Sequence, residues 1–126
     1  MLTLIHNKSC SKSNCLYNYL RDNNIPFTLR HYLEDPLTTA ELEGLIKKID
    51  EPHVALVRVT EKSFREMERQ PDLTDIATVV KLLHHNPAWL QRPILVFGDH
   101  AVIGRPLEKA IQFVQRSGIR PLPKKC

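Results

Sequence analysis

Apolar positions along the chain recur with two periods, and the switches between them predict the order of elements. Leu2 to Ile5 is a short apolar run that reads as a buried strand. From Ser11 onward Leu16, Tyr19 and Leu20 return at helical spacing, until Asn23-Asn24 and Ile25-Pro26 close the helix. Phe27 to Tyr32 alternates, with Phe27, Leu29 and His31 on one side and Thr28, Arg30 and Tyr32 on the other, as a strand does. Thr38-Thr-Ala-Glu41 has the spacing of a capping box, and Leu42, Leu45, Ile46 and Ile49 follow as a helical stripe. Val54 to Val59 fits a strand by composition and a short helix by context. Phe64 and Met67 mark a helical piece before Pro71, and Thr74 to Leu83 predicts a helix with Ile76, Val79, Val80 and Leu83 inward. Ile94 to Phe97, the Gly98-Asp99 turn and Ala101 to Ile103 read as a hairpin. Pro106 then opens a last helix whose inward stripe is Leu107, Ala110, Ile111 and Val114, ending at Gly118.

Strand, helix, strand, several helices, strand, strand, helix is the order of an α/β, thioredoxin-like mixed four-stranded sheet with a helical insertion between the second and third strands. A strand-helix-strand opening makes the first two strands parallel neighbours. At 126 residues the chain suits one domain over residues 1–126, with a basic, Pro-rich and flexible tail at 119–126. Pro93, opening the third strand, stands where this plan commonly holds a cis proline facing the active cysteine.

Composition narrows the setting. A 42% hydrophobic fraction without a long apolar stretch excludes a bilayer-spanning chain and fits a soluble protein. The run at Leu2 to Ile5 is too short for a signal peptide, so a cytoplasmic location is expected. Three cysteines make no disulfide framework and fit a reducing compartment. The net charge of +4 tolerates an anionic partner, but without interleaved basic and aromatic residues no direct nucleic-acid binding is expected. His84-His85 and His100 lack partners at ligand spacing, so no metal site is expected.

The candidate chemistry begins at Cys10. A strand that delivers a thiol to a helix start favours the thiolate, because unpaired N–H groups and the helix dipole both attract negative charge there. A phosphatase-type cradle is excluded, since it needs an arginine six positions after the cysteine and that position is Leu16. A Gly-rich nucleotide loop is absent. Cys15 points about 140° away around the helix from Cys10 and reads as a packing thiol. Cys126 reads as a loose terminal thiol or one that reaches the site to resolve an adduct.

Over nearly its whole length the chain resembles the glutaredoxin-coupled arsenate reductases and their thioredoxin-like relatives, including the Spx-type regulators. The resemblance rests on His6-Asn7-Lys8-Ser9-Cys10-Ser11-Lys12-Ser13, Tyr32-Leu33, Ala55-Leu56-Val57-Arg58, Arg92-Pro93-Ile94 and Ile103-Gly104-Arg105-Pro106. It implies that Cys10 is the nucleophile that attacks arsenate, that His6 helps keep the thiol anionic, and that Arg58, Arg92 and Arg105 hold the oxyanion. Ser11, Ser13 and Pro93 support them. It also implies no tightly bound cofactor, glutathione as co-substrate that resolves the adduct, and glutaredoxin as partner. Planar guanidinium groups suit this role, because they bind tetrahedral oxyanions through paired hydrogen bonds and offset the repulsion between thiolate and anion.

The sequence departs from the family at two places: Lys8 stands where a proline is usual, and Asn14 where an arginine is usual. Ser13 stands where the regulators carry the second cysteine of a pair, which counts against a two-cysteine switch. The expected function is therefore thiol-dependent reduction of arsenate to arsenite. A redox-sensing regulator or interaction protein of the Spx type, and a general thiol-disulfide oxidoreductase, are the alternatives.

Overall fold

The computed structural model describes residues 1–118. Its four strands are β1 (Leu2–His6), β2 (Phe27–His31), β3 (Ile94–Phe97) and β4 (His100–Ile103), in the sheet order β2-β1-β3-β4. β1 runs parallel to β2, with His6 opposite His31, and antiparallel to β3, with Ile5 opposite Ile94. β3 and β4 form the antiparallel hairpin, with Ile94 opposite Ile103. Gly98 takes the positive φ of 60° that the hairpin turn requires.

The helices are α1 (Ser11–Asp22), α2 (Thr39–Lys48), α3 (Lys62–Arg65), α4 (Ile76–His85) and α5 (Leu107–Arg116). Strand alternation divides the apolar side chains between two cores. Leu2, Leu4, Leu95 and Val102 face one side and pack with Leu16 and Leu20 of α1 and Ala110, Phe113 and Val114 of α5. Ile5, Ile94, Ala101 and Ile103 face the other and pack with Leu42 and Leu45 of α2 and Val79, Val80 and Leu83 of α4. The architecture is thus the expected thioredoxin-like mixed sheet, with α2 to α4 inserted between β2 and β3.

Local chemistry accounts for the boundaries. At α2 the Thr38 hydroxyl accepts from the Glu41 N–H at 3.1 Å and the Glu41 carboxylate accepts from the Thr38 N–H at 2.9 Å, so both halves of the capping box form. The ambiguous stretch at Val54 to Val59 resolves into a 3-10 turn, His53–Leu56, followed by one antiparallel bridge between Val57 and Leu90.

Three details of packing differ from the apolar pattern. Ile76 is 47% exposed, because α4 starts at this residue and the packing falls on Val79, Val80 and Leu83 a turn later. Leu29 is 39% exposed on β2, one of the two edge strands. On α5 the buried set is Ala110, Phe113 and Val114, with Leu107 and Ile111 only half-buried at its margin.

Candidate active site

Sheet topology gathers the chemistry at one end. The C-terminal end of β1 leads to Cys10, the parallel β2 ends beside it and leads to Tyr32, and antiparallel β3 begins there after Arg92. β4 returns to the same end and leads through Gly104 to Arg105. Gly104 is a close approach: a Cβ there would lie 3.2 Å from Leu16 Cδ2 and 3.2 Å from Pro93 Cγ, so those side chains would have to give by a few tenths of an ångström. The Arg92–Pro93 and Arg105–Pro106 peptide bonds are both cis.

Cys10 is the N-cap of α1, extended at φ −103° and ψ 122°. Its N–H donates to Asn7 O at 3.0 Å, and its carbonyl accepts from the Asn14 N–H at 2.9 Å. No acidic residue stands in the first turn, so nothing negative competes for the N–H groups that face the thiol. Burial would raise the Cys10 pKa, but a hydrogen bond from the Ser13 N–H, then one from the Arg92 side chain, then one from the Lys12 N–H, together with the charge of Arg92, bring it below the ordinary thiol value. Arg105 Nη2 lies 3.5 Å from Cys10 Sγ, while its Nε donates to Arg92 O at 2.6 Å. The second contact fixes the Arg105 guanidinium against the β3 start.

Arg92 has a buried Nε with no hydrogen-bond partner. A buried guanidinium donor left open is costly, and a ligand oxygen would satisfy it. Arg58 arrives by another route. Its N–H donates to Trp89 O at 2.7 Å and the Gln91 N–H donates to Leu56 O at 2.8 Å, so a short ladder ties the insertion to the residues just before Arg92. Trp89 anchors that ladder through Nε1 to Ser63 Oγ at 2.7 Å and an edge contact with Phe64. Arg58 Nη1 is paired with Glu61 Oε2 at 2.8 Å, and Arg58 is not among the groups that act on the Cys10 thiol.

His6 and Ser13 form a buried pair. His6 Nδ1 lies 2.6 Å from Ser13 Oγ, and Ser13 Oγ also accepts the Asn7 N–H at 3.1 Å. Among the described residues His6 has no hydrogen bond to the Cys10 sulfur; its bond is to Ser13 in the first turn of α1. Burial, then the neighbouring His31, lowers the His6 pKa, which favours the neutral ring. Ser11 is exposed on the first turn of α1.

The two departures from the family pattern have local roles. Asn14 Nδ2 donates to Lys8 O at 2.9 Å, bracing the loop, and Lys8 pairs with Glu34 at the surface at 3.2 Å. Cys15, half-buried on α1, is disulfide-bonded, so the expectation of a packing thiol is corrected, whereas Cys10 is free. Cys126 and the tail lie outside the described residues. Sequence reasoning assigned no role to Asn7, Tyr32 or Glu61, although Asn7 and Tyr32 lie within the motif segments. Among the described residues no cluster of His, Cys, Asp and Glu could hold a metal ion, and no helix is long and apolar enough to cross a membrane.

The ArsC family model matches residues 5–113. The chain belongs to the ArsC family. It is 30% identical over 112 residues to the uncharacterized protein YfgD of Escherichia coli, covering 88% of this chain and 94% of that protein. It is 28% identical over 108 residues to an arsenate reductase of Neisseria meningitidis, with 85% and 92% covered. The global transcriptional regulator Spx 1 of Oceanobacillus iheyensis is 24% identical over 117 residues, with 93% and 89% covered. Among solved structures, an arsenate reductase from Vibrio cholerae superposes with a TM-score of 0.80 at 25% identity, covering 88% of this chain and 95% of that one. Enzymes and regulators share this fold, so the family alone does not choose between them.

Proposed function

We propose that the chain is a thiol-dependent reductase of arsenate, with Cys10 as nucleophile, Arg92, Arg105 and Arg58 as the oxyanion site, and glutathione with glutaredoxin as reductants. The observation that carries this reading is the pairing of a pKa-lowered Cys10 with the open, buried Nε of Arg92 beside it. A thiolate alone would serve disulfide exchange; a thiolate beside a guanidinium that still has an open donor is suited to a tetrahedral anion.

In the first step the Cys10 sulfur displaces one oxygen of dihydrogen arsenate. A sulfur-arsenic bond forms, an arsenic-oxygen bond breaks, and the oxygen leaves as water after taking one proton. Arsenic stays pentavalent. In the second step glutathione attacks the Cys10 sulfur, the sulfur-arsenic bond breaks, and its electron pair goes to arsenic. Arsenite leaves as arsenic gains two electrons, and Cys10 and glutathione are oxidised together to a mixed disulfide. A glutaredoxin thiolate then attacks the glutathione sulfur of that disulfide, carries the glutathione away as its own mixed disulfide, and Cys10 leaves as the thiolate. The arginines lower the first barrier by neutralising charge that would otherwise repel the thiolate.

The Spx-like reading finds less support at the loop, because the residue at the second place of a regulator pair is Ser13, whose hydroxyl is buried against His6. Arsenite formation by the purified protein with arsenate, glutathione and glutaredoxin tests the proposal. It should disappear in Cys10→Ser, with a loss of about a thousandfold or more; an inactive wild-type protein would refute the proposed reaction.

A further inference from the structure

Tyr32 is a buried residue at this end of the sheet whose hydroxyl the reaction above does not use. Its side chain is only 1% exposed, and its hydroxyl lies 3.3 Å from Asn7 Nδ2. Which partner donates is decided one bond further on. The Ser9 N–H can only donate, and it does so to the other amide atom of Asn7, at 2.9 Å, so that atom is Oδ1. The amide atom facing Tyr32 is therefore the NH2 group, and the tyrosine oxygen accepts. Its own hydrogen is left to go elsewhere, and no acceptor for it stands among the described residues.

The surroundings say where it goes. The hydroxyl is near enough to Arg92, Cys10 and Arg58 to interact with the charge of each. Burial raises its pKa, so the phenol stays protonated and remains a donor across the neutral range. Arg92 Nε, also buried and unpartnered, lies in the same charged surroundings. Two open donors, one charged and one neutral, stand near the thiol, and the oxygens of an anion could accept from both.

We infer that Tyr32 is a direct ligand of the bound oxyanion, donating its hydroxyl hydrogen to an oxygen of the tetrahedral anion while Asn7 holds the phenol in place. This deepens the arsenate reductase reading and rests on it for the identity of the anion. The bond is a neutral donor to a charged acceptor, a class in which loss of the donor costs about tenfold or more in affinity. It adds affinity without adding positive charge, so it leaves the resting thiol unaltered.

Protection of Cys10 from iodoacetamide by inorganic phosphate, a non-reducible tetrahedral anion, tests the inference in the full chain. In Tyr32→Phe the phosphate concentration giving half-protection should rise about tenfold, while the alkylation midpoint without phosphate stays where it is in wild type. A purely structural role would shift that midpoint or leave protection unaltered. Unaltered protection in Tyr32→Phe, with protection still lost in Arg92→Ala, overturns the role of Tyr32 and leaves the oxyanion site standing. No protection in wild type overturns both. Should Tyr32→Phe fail to fold, 3-fluorotyrosine at position 32 serves instead: its more acidic hydroxyl should tighten protection, and weaker or equal protection overturns the inference.

Discussion

Arg30 and Arg92 are both partly buried arginines at the sheet, and their partners could hardly differ more. Arg30 has every nitrogen engaged: Nη1 and Nη2 grip the Glu41 carboxylate at 2.7 and 3.0 Å, Nε donates to Asp35 O at 2.8 Å, and Nη2 also reaches Pro36 O at 2.9 Å. It cements the β2 end to the start of α2. Arg92 instead leaves a buried Nε empty beside a thiol whose pKa it lowers. A satisfied arginine holds a fold together, and an unsatisfied one waits for a ligand. Both arginines lie toward the same end of the sheet, so the contrast separates two neighbouring places there. A groove of about 590 Å³ between β2 and α2 contains Arg30 but not Cys10, and its guanidinium is already spoken for.

The comparison breaks most sharply under paired substitution. Arg92→Ala should lower kcat/KM for arsenate by about a hundredfold, the usual loss for one oxyanion donor, without lowering the urea midpoint. Arg30→Ala should do the reverse, costing about 1 kcal/mol of stability, because its partner is partly exposed, with turnover nearly unaltered. If Arg92→Ala destabilised the protein and left activity intact, the contrast would fail.

A smaller effect lies in acid. Hydrogen bonding to Arg30 holds the Glu41 carboxyl below its ordinary pKa. A depressed carboxylate stabilises the fold above its unfolded value of about 4.3, and that contribution disappears as pH falls through the folded value. Stability measured by urea between pH 6 and 3 should therefore fall less steeply in Arg30→Ala than in wild type. Equal slopes would show that the pair contributes nothing.

The chemistry of single positions was legible in the chain, and the partners were not. Cys10 is visible as a thiol between a strand and a helix, and Arg92 and Arg105 follow from the strands that precede and follow them. Topology brings them together, as it does Pro93. Val54 to Val59 could not be decided from pattern, because a 3-10 turn followed by a single bridge has the period of neither helix nor strand. Ile76 and Leu29 satisfy their stripes yet stay exposed, since a pattern does not reveal where an element starts or which strands are edges. Tyr32 reads as one face of a strand; its open hydrogen emerges only through the chain from Ser9 to Asn7 to the phenol. Glu61 lies three residues after Arg58 in a stretch without clear periodicity, so nothing before the fold marks it as the partner.

The central claim is that Cys10 is an activated thiolate at an open anion site, and a pH titration of its alkylation, with and without phosphate, reads both halves at once. The account predicts a midpoint below the ordinary thiol range that moves upward when phosphate occupies the site, because a bound anion disfavours the thiolate beside it. An ordinary midpoint that phosphate leaves unmoved would contradict it.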